Sequence, residues 1–137
     1  MRRVTFTFIA FVLLTIAFLA LTGNFPPQLG IGNPTAKEIL DGNPNADILQ
    51  IDGVVYANVS DVDRFKERNN EVGEKIGEVK KQTDRTWWYR DFFATKLPVG
   101  TEIFVTKDQS YSDGDTPSVI IAQSEGNSFM YLAYVEG

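Results

Sequence analysis

Carboxylates are the side chains of this sequence that could perform acid–base catalysis, because the chain contains no histidine and no cysteine. These absences exclude a Ser-His-Asp triad, imidazole and thiolate metal ligands, and a cysteine nucleophile. Asp61 and Asp63 form one acidic group, and Glu71, Glu74 and Glu78 form another. A carboxylate pair can hydrolyse a glycan, but the aspartates suit the first turn of a helix and the glutamates alternate with lysines, as on a solvated face. We therefore predict no catalytic residue and no enzymatic activity.

An oxygen-rich loop offers a second kind of chemistry, calcium binding, through Asp108, Asp113 and Asp115. Calcium takes oxygen ligands from loops of this composition. The spacing does not match an EF-hand, because there is no run of five ligands and no bidentate glutamate follows. We interpret the loop as a solvated turn and predict neither a metal site nor a cofactor.

Aromatic side chains beside arginines offer recognition rather than catalysis. Flat rings stack on sugar rings and on guanidinium groups, and Trp and Tyr tolerate half-exposed positions because each carries a polar group. We predict that Trp87, Trp88, Tyr89 and Arg90 bind a glycan, a peptide or the outer face of a membrane. The alternative is that the aromatic residues here belong to the core and edge of a small sheet. Further aromatic and basic residues flank these four: Arg85, Phe92 and Phe93.

A mainly antiparallel sheet must position these residues, because most of the segment 47–137 has strand character. "DILQIDGVVYANV" is rich in β-branched residues around the turn dipeptide Asp52-Gly53, so it forms one bulged strand or two short ones. "EVGEKIGEVKKQ" is interpreted as a strand, because Gly73 and Gly77 would each cost a helix about 1 kcal/mol. "SVIIAQSEGNSFMYLAYVE" predicts a hairpin that turns at Glu125-Gly126-Asn127. The predicted fold class is α+β, with a small sheet of five to six strands and one or two short helices.

Two segments have helical features. Thr35 and Glu38 fit a capping box, with apolar Ile39 and Leu40 next and Gly42 as the end of one or two turns. "SDVDRFKERN" begins with Ser60 as a candidate N-cap, carries acids first and bases last, and so agrees with the helix dipole.

The N-terminal segment resembles a membrane anchor or a signal peptide. Residues 4–22 carry no charge and would extend roughly 28 Å as a helix, close to the thickness of a hydrocarbon core. Length favours a retained anchor, because a secretory apolar region is usually about 7–15 residues long. Pro26-Pro27 favours cleavage instead, since it suits an accessible, extended region. Arg2 and Arg3 place the N-terminus in the cytoplasm, so the domain would face outward.

The remaining sequence gives the domain layout and limits the partners. Prolines and glycines in residues 24–46 indicate a spacer with a short helix, between a leader at 1–23 and a folded domain at 47–137. Without Arg2 and Arg3, the chain keeps 11 of its 13 basic residues against 18 acidic ones, a net charge of −7. An acidic domain repels phosphate backbones, so we predict no nucleic-acid partner.

Five phrases resemble a family of small, uncharacterised extracytoplasmic proteins of Gram-positive bacteria, many of them lipoprotein-like. The resemblance covers most of residues 33–137 and implies a location in the cell envelope, without an activity. Where a lipoprotein has its modified cysteine, this chain has Asn24, which has no sulfur to carry the lipid. The phrases are "NPTAKEIL", "NADILQIDGVVYANVSDV", "EKIGEVKK", "ATKLPVGTEIF" and "YLAYVEG".

Together these observations predict a non-enzymatic binding or interaction module exposed outside the cytoplasmic membrane. The expected location is a single-pass membrane protein, with secretion after signal cleavage as the alternative. The expected partners are the membrane, through the N-terminal helix, and an envelope protein or glycan. Two other functions stay open: an enzyme that acts on cell-wall polymers through carboxylates, and an inhibitor or immunity-type protein.

Overall fold

The computed structural model describes residues 32–66 and 71–135. This part of the chain is mostly β-sheet with a few short helices, as the predicted α+β class requires. The sheet has eight strands rather than the five or six predicted. Asp52-Gly53 divides one predicted segment into two strands, and the predicted strand over 71–82 is likewise divided in two at Val79 and Lys80. A further strand, Phe93–Ala94, is too short to leave a pattern in the sequence. The elements are α1 (Ala36–Gly42), β1 (Ile48–Ile51), β2 (Val54–Asn58), α2 (Asp63–Lys66), β3 (Val72–Glu78), β4 (Lys81–Gln82), β5 (Phe93–Ala94), β6 (Glu102–Thr106), β7 (Val119–Ser124) and β8 (Asn127–Ala133).

The sheet is curled, and its two edge strands are consecutive parts of one segment of the chain. Its strand order is β3-β6-β7-β8-β2-β1-β5-β4, so β3 and β4, which follow each other in sequence, lie at opposite ends. Val79 lies between them and exchanges backbone hydrogen bonds with residues 100 and 101, just before β6. The next residue, Lys80, donates its N–H to the carbonyl of Phe92, just before β5. The segment 72–82 therefore closes the curled sheet into a barrel.

Two tight turns set the register of the hairpins. Asp52 and Gly53 have φ of 47° and 75°, and Glu125 and Gly126 have φ of 50° and 81°. Positive φ at both central residues is the geometry whose twist matches a two-residue hairpin. The predicted β7–β8 hairpin is confirmed. The segment around Asp52-Gly53 forms two short strands, β1 and β2, and not one bulged strand.

β3 is a strand, as predicted, and both of its glycines allow close approaches. A Cβ added to Gly73 would lie 2.8 Å from the backbone carbonyl carbon and oxygen of Thr106 on β6. A Cβ added to Gly77 would lie 2.3 Å from the ring of Phe92. The two glycines that argue against a helix are thus the residues that let β3 lie close to β6 and to the ring of Phe92.

Alternating side chains of β1 and β2 build two apolar layers. Leu49 and Ile51 point into the barrel, where they pack with Tyr56 and with residues of β6, β7 and β8. Ile48 and Val55 point outward, and there α1 covers them with two buried side chains, Ala36 and Leu40. Both faces of this hairpin are therefore buried, which explains its continuous apolar sequence.

The first helix begins as predicted. Glu38 donates its backbone N–H to the Thr35 hydroxyl at 3.3 Å, and its carboxylate accepts from the Thr35 backbone N–H at 2.8 Å. The helix ends at Gly42. It lies within the predicted spacer 24–46, but it packs on the sheet.

The second helix is shorter than predicted at its start. It begins at Asp63, so Ser60 is not its N-cap. The Ser60 hydroxyl instead accepts a hydrogen bond from the backbone N–H of Met130 on β8, at 2.8 Å. Residues 67–70, the end of the predicted helix, lie outside the described residues.

The predicted leader, residues 1–23, also lies outside the described residues. Within 32–66 and 71–135, no helix combines the length and apolar character needed to cross a membrane. Anchoring and cleavage therefore stay predictions.

Candidate functional site

The predicted binding residues lie on the segment that joins β4 to β5, residues 83–92, called the aromatic loop below. Because β4 and β5 are parallel, the loop must run from the end of β4 back to the level of its start before the chain enters β5. Asp91 fastens the end of the loop to the first hairpin, since its carboxylate accepts from the Gly53 N–H at 2.9 Å and from the Gln50 amide at 3.3 Å. The Phe92 N–H donates to the Gln50 carbonyl at 2.7 Å. The aromatic loop is thus held on the rigid sheet at its C-terminal end.

Two bulky residues of the loop have a left-handed backbone, and packing explains one of them. Phe92 has φ of 62°, a conformation that costs a large side chain of order 1–3 kcal/mol. Its ring packs against the barrel core and over Gly77. Burial of an aromatic ring compensates for this strain.

The second strained residue, Trp88, receives less compensation from burial. Its φ is 63°, yet 45% of its surface is exposed. It lies in a turn closed by the Tyr89 N–H and the Thr86 carbonyl, at 3.3 Å. The Arg90 guanidinium lies 5.3 Å from the centre of its ring, within cation–π range. Backbone strain of this kind clusters at functional sites, so Trp88 is a candidate contact residue.

The four predicted residues therefore divide between surface and interior. Trp87 is 56% exposed and, with Trp88 and Arg90, forms the outer side of the loop. Tyr89 turns inward, where it packs against the cluster beneath α1 and meets Phe93 edge to face at 6.1 Å. The alternative interpretation, in which the aromatic residues belong to the core of the sheet, thus applies to Tyr89. The two tryptophans are exposed enough to contact a partner.

A depression of about 360 Å³ lies between the aromatic loop and α1. Trp87 borders it on the loop side together with the charged residues Asp84 and Arg85. The facing wall comes from the end of α1 and the turn after it, through Leu40, Asp41 and Pro44. Sequence reasoning did not find these helix residues, because they lie more than forty positions before Trp87 and only the packing of α1 brings them close.

A larger groove, about 500 Å³, runs along the other side of α1, but its polar groups already have partners. Asp47 accepts a hydrogen bond from Tyr131 at 2.7 Å and another from Asn58 at 2.7 Å. Glu38 is engaged in the helix cap with Thr35. Groups that are satisfied within the chain offer little to a ligand, so we take the depression beside Trp87 as the candidate site.

Three of the other acidic residues considered from the sequence have partners within the fold: Glu71, Glu78 and Asp115. Lys75 binds Glu78 at 2.6 Å and Glu102 at 2.7 Å, and Lys107 binds Glu71 at 2.5 Å. In the oxygen-rich loop, Asp115 accepts the backbone N–H of Ser112 at 2.8 Å. Among the described residues, no three acidic side chains come together in a group that could hold a metal ion.

Four tyrosines predict a loss of stability at alkaline pH. Burial, the largest cause, and nearby carboxylates raise the pKa of Tyr56, Tyr89, Tyr111 and Tyr131 above the ordinary value. Below a pH of about 10 the folded and unfolded chains both keep these protons, so stability is unaffected. Above it the unfolded chain loses them first, and the free energy of unfolding falls by up to about 1.4 kcal/mol per pH unit for each of the more deeply buried phenols, Tyr56, Tyr89 and Tyr131. Urea titrations between about pH 8 and about pH 11 test this; a constant midpoint would contradict it.

Similarity to known proteins provides no independent assignment for this site. Scans against protein-family models, curated proteins and solved structures each find no match. The geometry of the aromatic loop is therefore the basis for a functional proposal.

Proposed function

We propose that the protein is a non-enzymatic binding module whose contact surface is formed by Trp87, Trp88 and Arg90. The observation that carries this proposal is the strained and exposed Trp88. It is more exposed than Phe92, so less burial offsets its left-handed backbone. A partner that covers the ring would supply the missing burial.

The composition of the surface supports binding. Tryptophan and arginine are the residue types that most often dominate the energy of a contact surface, because each buries a large area and carries a polar group. Exposed large apolar side chains side by side are unusual on a chain that has no partner. Asp91 and Phe92 fix the base of the loop, so less conformational entropy is lost when it binds.

The proposed location is the outer side of the cytoplasmic membrane. It rests on the uncharged segment 4–22 behind Arg2 and Arg3, and on the resemblance to small envelope proteins. A retained helix would keep the module at the membrane, and cleavage would release it. The net charge of the domain disfavours nucleic acid as a partner.

We expect the double substitution Trp87→Ala and Trp88→Ala to abolish capture by envelope material while the fold survives. Both rings are about half exposed, so their loss should move the melting temperature by less than about 4 °C. The measurement is co-sedimentation with purified cell walls and pull-down from a solubilised envelope extract, with melting followed by circular dichroism.

The matched control is Val99→Ala, which removes an equally exposed apolar side chain, 65% accessible, from the turn before β6. Capture should be unchanged in this variant. Capture by the double variant at the wild-type level would contradict the proposal, and a melting temperature lowered by more than about 10 °C would show that the rings are structural. A single protein recovered in equal amount with the chain would favour an inhibitor or immunity-type function.

A further inference from the structure

We infer that the ligand of this surface is a saccharide chain, bound against Trp87 in the depression between the aromatic loop and α1. This inference rests on the proposed binding function and specifies its ligand class. It depends on the shape of the depression, the unpaired polar groups around it and the sign of its charges.

The walls of the depression suit a flat ring with polar edges. The Trp87 side chain, 56% exposed, borders one side, and Leu40 and Pro44 supply apolar surface on the other. An aromatic face binds the C–H face of a pyranose by dispersion and by its negative electrostatic potential. The space of about 360 Å³ falls at the lower end of the range of small-molecule sites.

The polar groups around the depression offer both donors and acceptors. Neither the Asp84 carboxylate nor the Arg85 guanidinium has a hydrogen bond or an ion pair within residues 32–66 and 71–135, and Trp87 also keeps its indole N–H unpaired there. Asp41 accepts from Lys37 at 2.5 Å through one oxygen, which leaves the other oxygen available. A sugar hydroxyl both donates and accepts, so it can satisfy a carboxylate and a guanidinium in one site.

The charges disfavour anionic ligands. Asp41 and Asp84 would repel a phosphate or an anionic lipid. The net charge of −5 of the whole chain acts in the same direction. A neutral, hydroxyl-rich molecule avoids this repulsion.

Trp88 argues for a chain of sugars rather than a single one. It follows Trp87 directly, and its ring carries the Arg90 guanidinium at 5.3 Å on the exposed side of the loop. A second ring next to the depression provides a second stacking position. The ligand would therefore extend from the depression across Trp88.

The chain itself provides the probe for this test, because Trp87 and Trp88 are its two tryptophans. We would titrate the full-length protein with three tetrasaccharides, those of β-1,4-linked N-acetylglucosamine, β-1,4-linked glucose and α-1,4-linked glucose. At least one should produce a saturable blue shift of tryptophan emission. Each single-tryptophan variant should keep a part of this shift: Trp88→Phe, which retains the tryptophan of the depression, should keep the larger part, and Trp87→Phe the smaller part.

Calorimetry with the tetrasaccharide that binds then tests the individual groups. Trp87→Ala should weaken the affinity about tenfold or more, and Asp84→Asn by several-fold, while Val99→Ala should leave it unchanged. Equal affinity of Trp87→Ala and the wild type would overturn the assignment of the depression.

The outcomes separate this inference from the proposed function. If no tetrasaccharide shifts the emission at millimolar concentration, the saccharide inference is wrong. If capture from an envelope extract nevertheless depends on Trp87 and Trp88, the binding function stands and its ligand is of another class, such as a peptide. If capture is also independent of both tryptophans, the proposed function fails with it.

Discussion

Replacing Gly77 by alanine is expected to lower the free energy of unfolding by about 3 kcal/mol, at the upper end of overpacking effects in cores. The new Cβ would lie 2.3 Å and 2.6 Å from two ring carbons of Phe92. The ring packs against the barrel core, and the backbone of Phe92 is fixed by hydrogen bonds to Gln50 and Lys80, so the ring must leave its core contacts to make room for the methyl group. The measurement is urea unfolding of the variant and the wild type.

The matched control for this prediction is Gly42→Ala. A Cβ at Gly42, the last residue of α1, meets nothing within 4 Å. This change should be neutral or stabilise the protein by up to about 1 kcal/mol, because alanine restricts the unfolded chain. A loss below about 1 kcal/mol for Gly77→Ala would mean that the loop shifts to admit the methyl group. Capture by cell walls should then be re-measured, since Phe92 and Asp91 hold the aromatic loop in place.

Removing the hydroxyl of Tyr131 is expected to cost about 2 kcal/mol, whereas the same change at Tyr56 is expected to cost nothing or to stabilise the protein. Both side chains are 0% exposed. The Tyr131 hydroxyl donates to the Asp47 carboxylate at 2.7 Å. The Tyr56 hydroxyl has no partner among the described residues, so its desolvation is uncompensated.

The two phenylalanine variants control for each other, because they delete the same atom at equally buried positions in one barrel. Comparing their urea midpoints isolates the value of the hydrogen bond to Asp47. Equal losses in both variants would contradict the prediction and would show that Tyr56 also has a partner. The Tyr56→Phe variant should in addition lose stability less steeply at alkaline pH, since one protected phenol is gone.

The features that sequence reasoning predicted correctly depend on neighbouring residues. The Thr35–Glu38 cap and the turn at Glu125-Gly126 are each specified within four residues, so their side-chain and backbone chemistry is visible in the sequence. The strand at 72–78 was predicted from its glycines, because the cost of glycine in a helix is a local property.

The features that it missed depend on contacts between distant segments. β5 exists because Phe93 pairs with Lys81 across a loop, and its two residues carry no period. The aromatic segment also lacks an alternating pattern, because the positive φ at Trp88 and Phe92 prevents successive side chains from pointing to opposite faces as they do in a strand. Consequently, the sequence placed Tyr89 with Trp87 and Trp88, although Tyr89 lies on the inner side.

Closure of the sheet makes the order of chain synthesis matter for folding. β2 has β8 as one of its two neighbours, with Tyr56 paired to Ala133, so the first hairpin cannot complete its sheet until residue 133 has been made. The segment 72–82 likewise needs β5 and β6, both of which follow it in sequence. Pairings between distant segments slow folding, because the entropy of loop closure is lost before the contacts form. The nascent chain therefore cannot complete its sheet until its last strand has emerged.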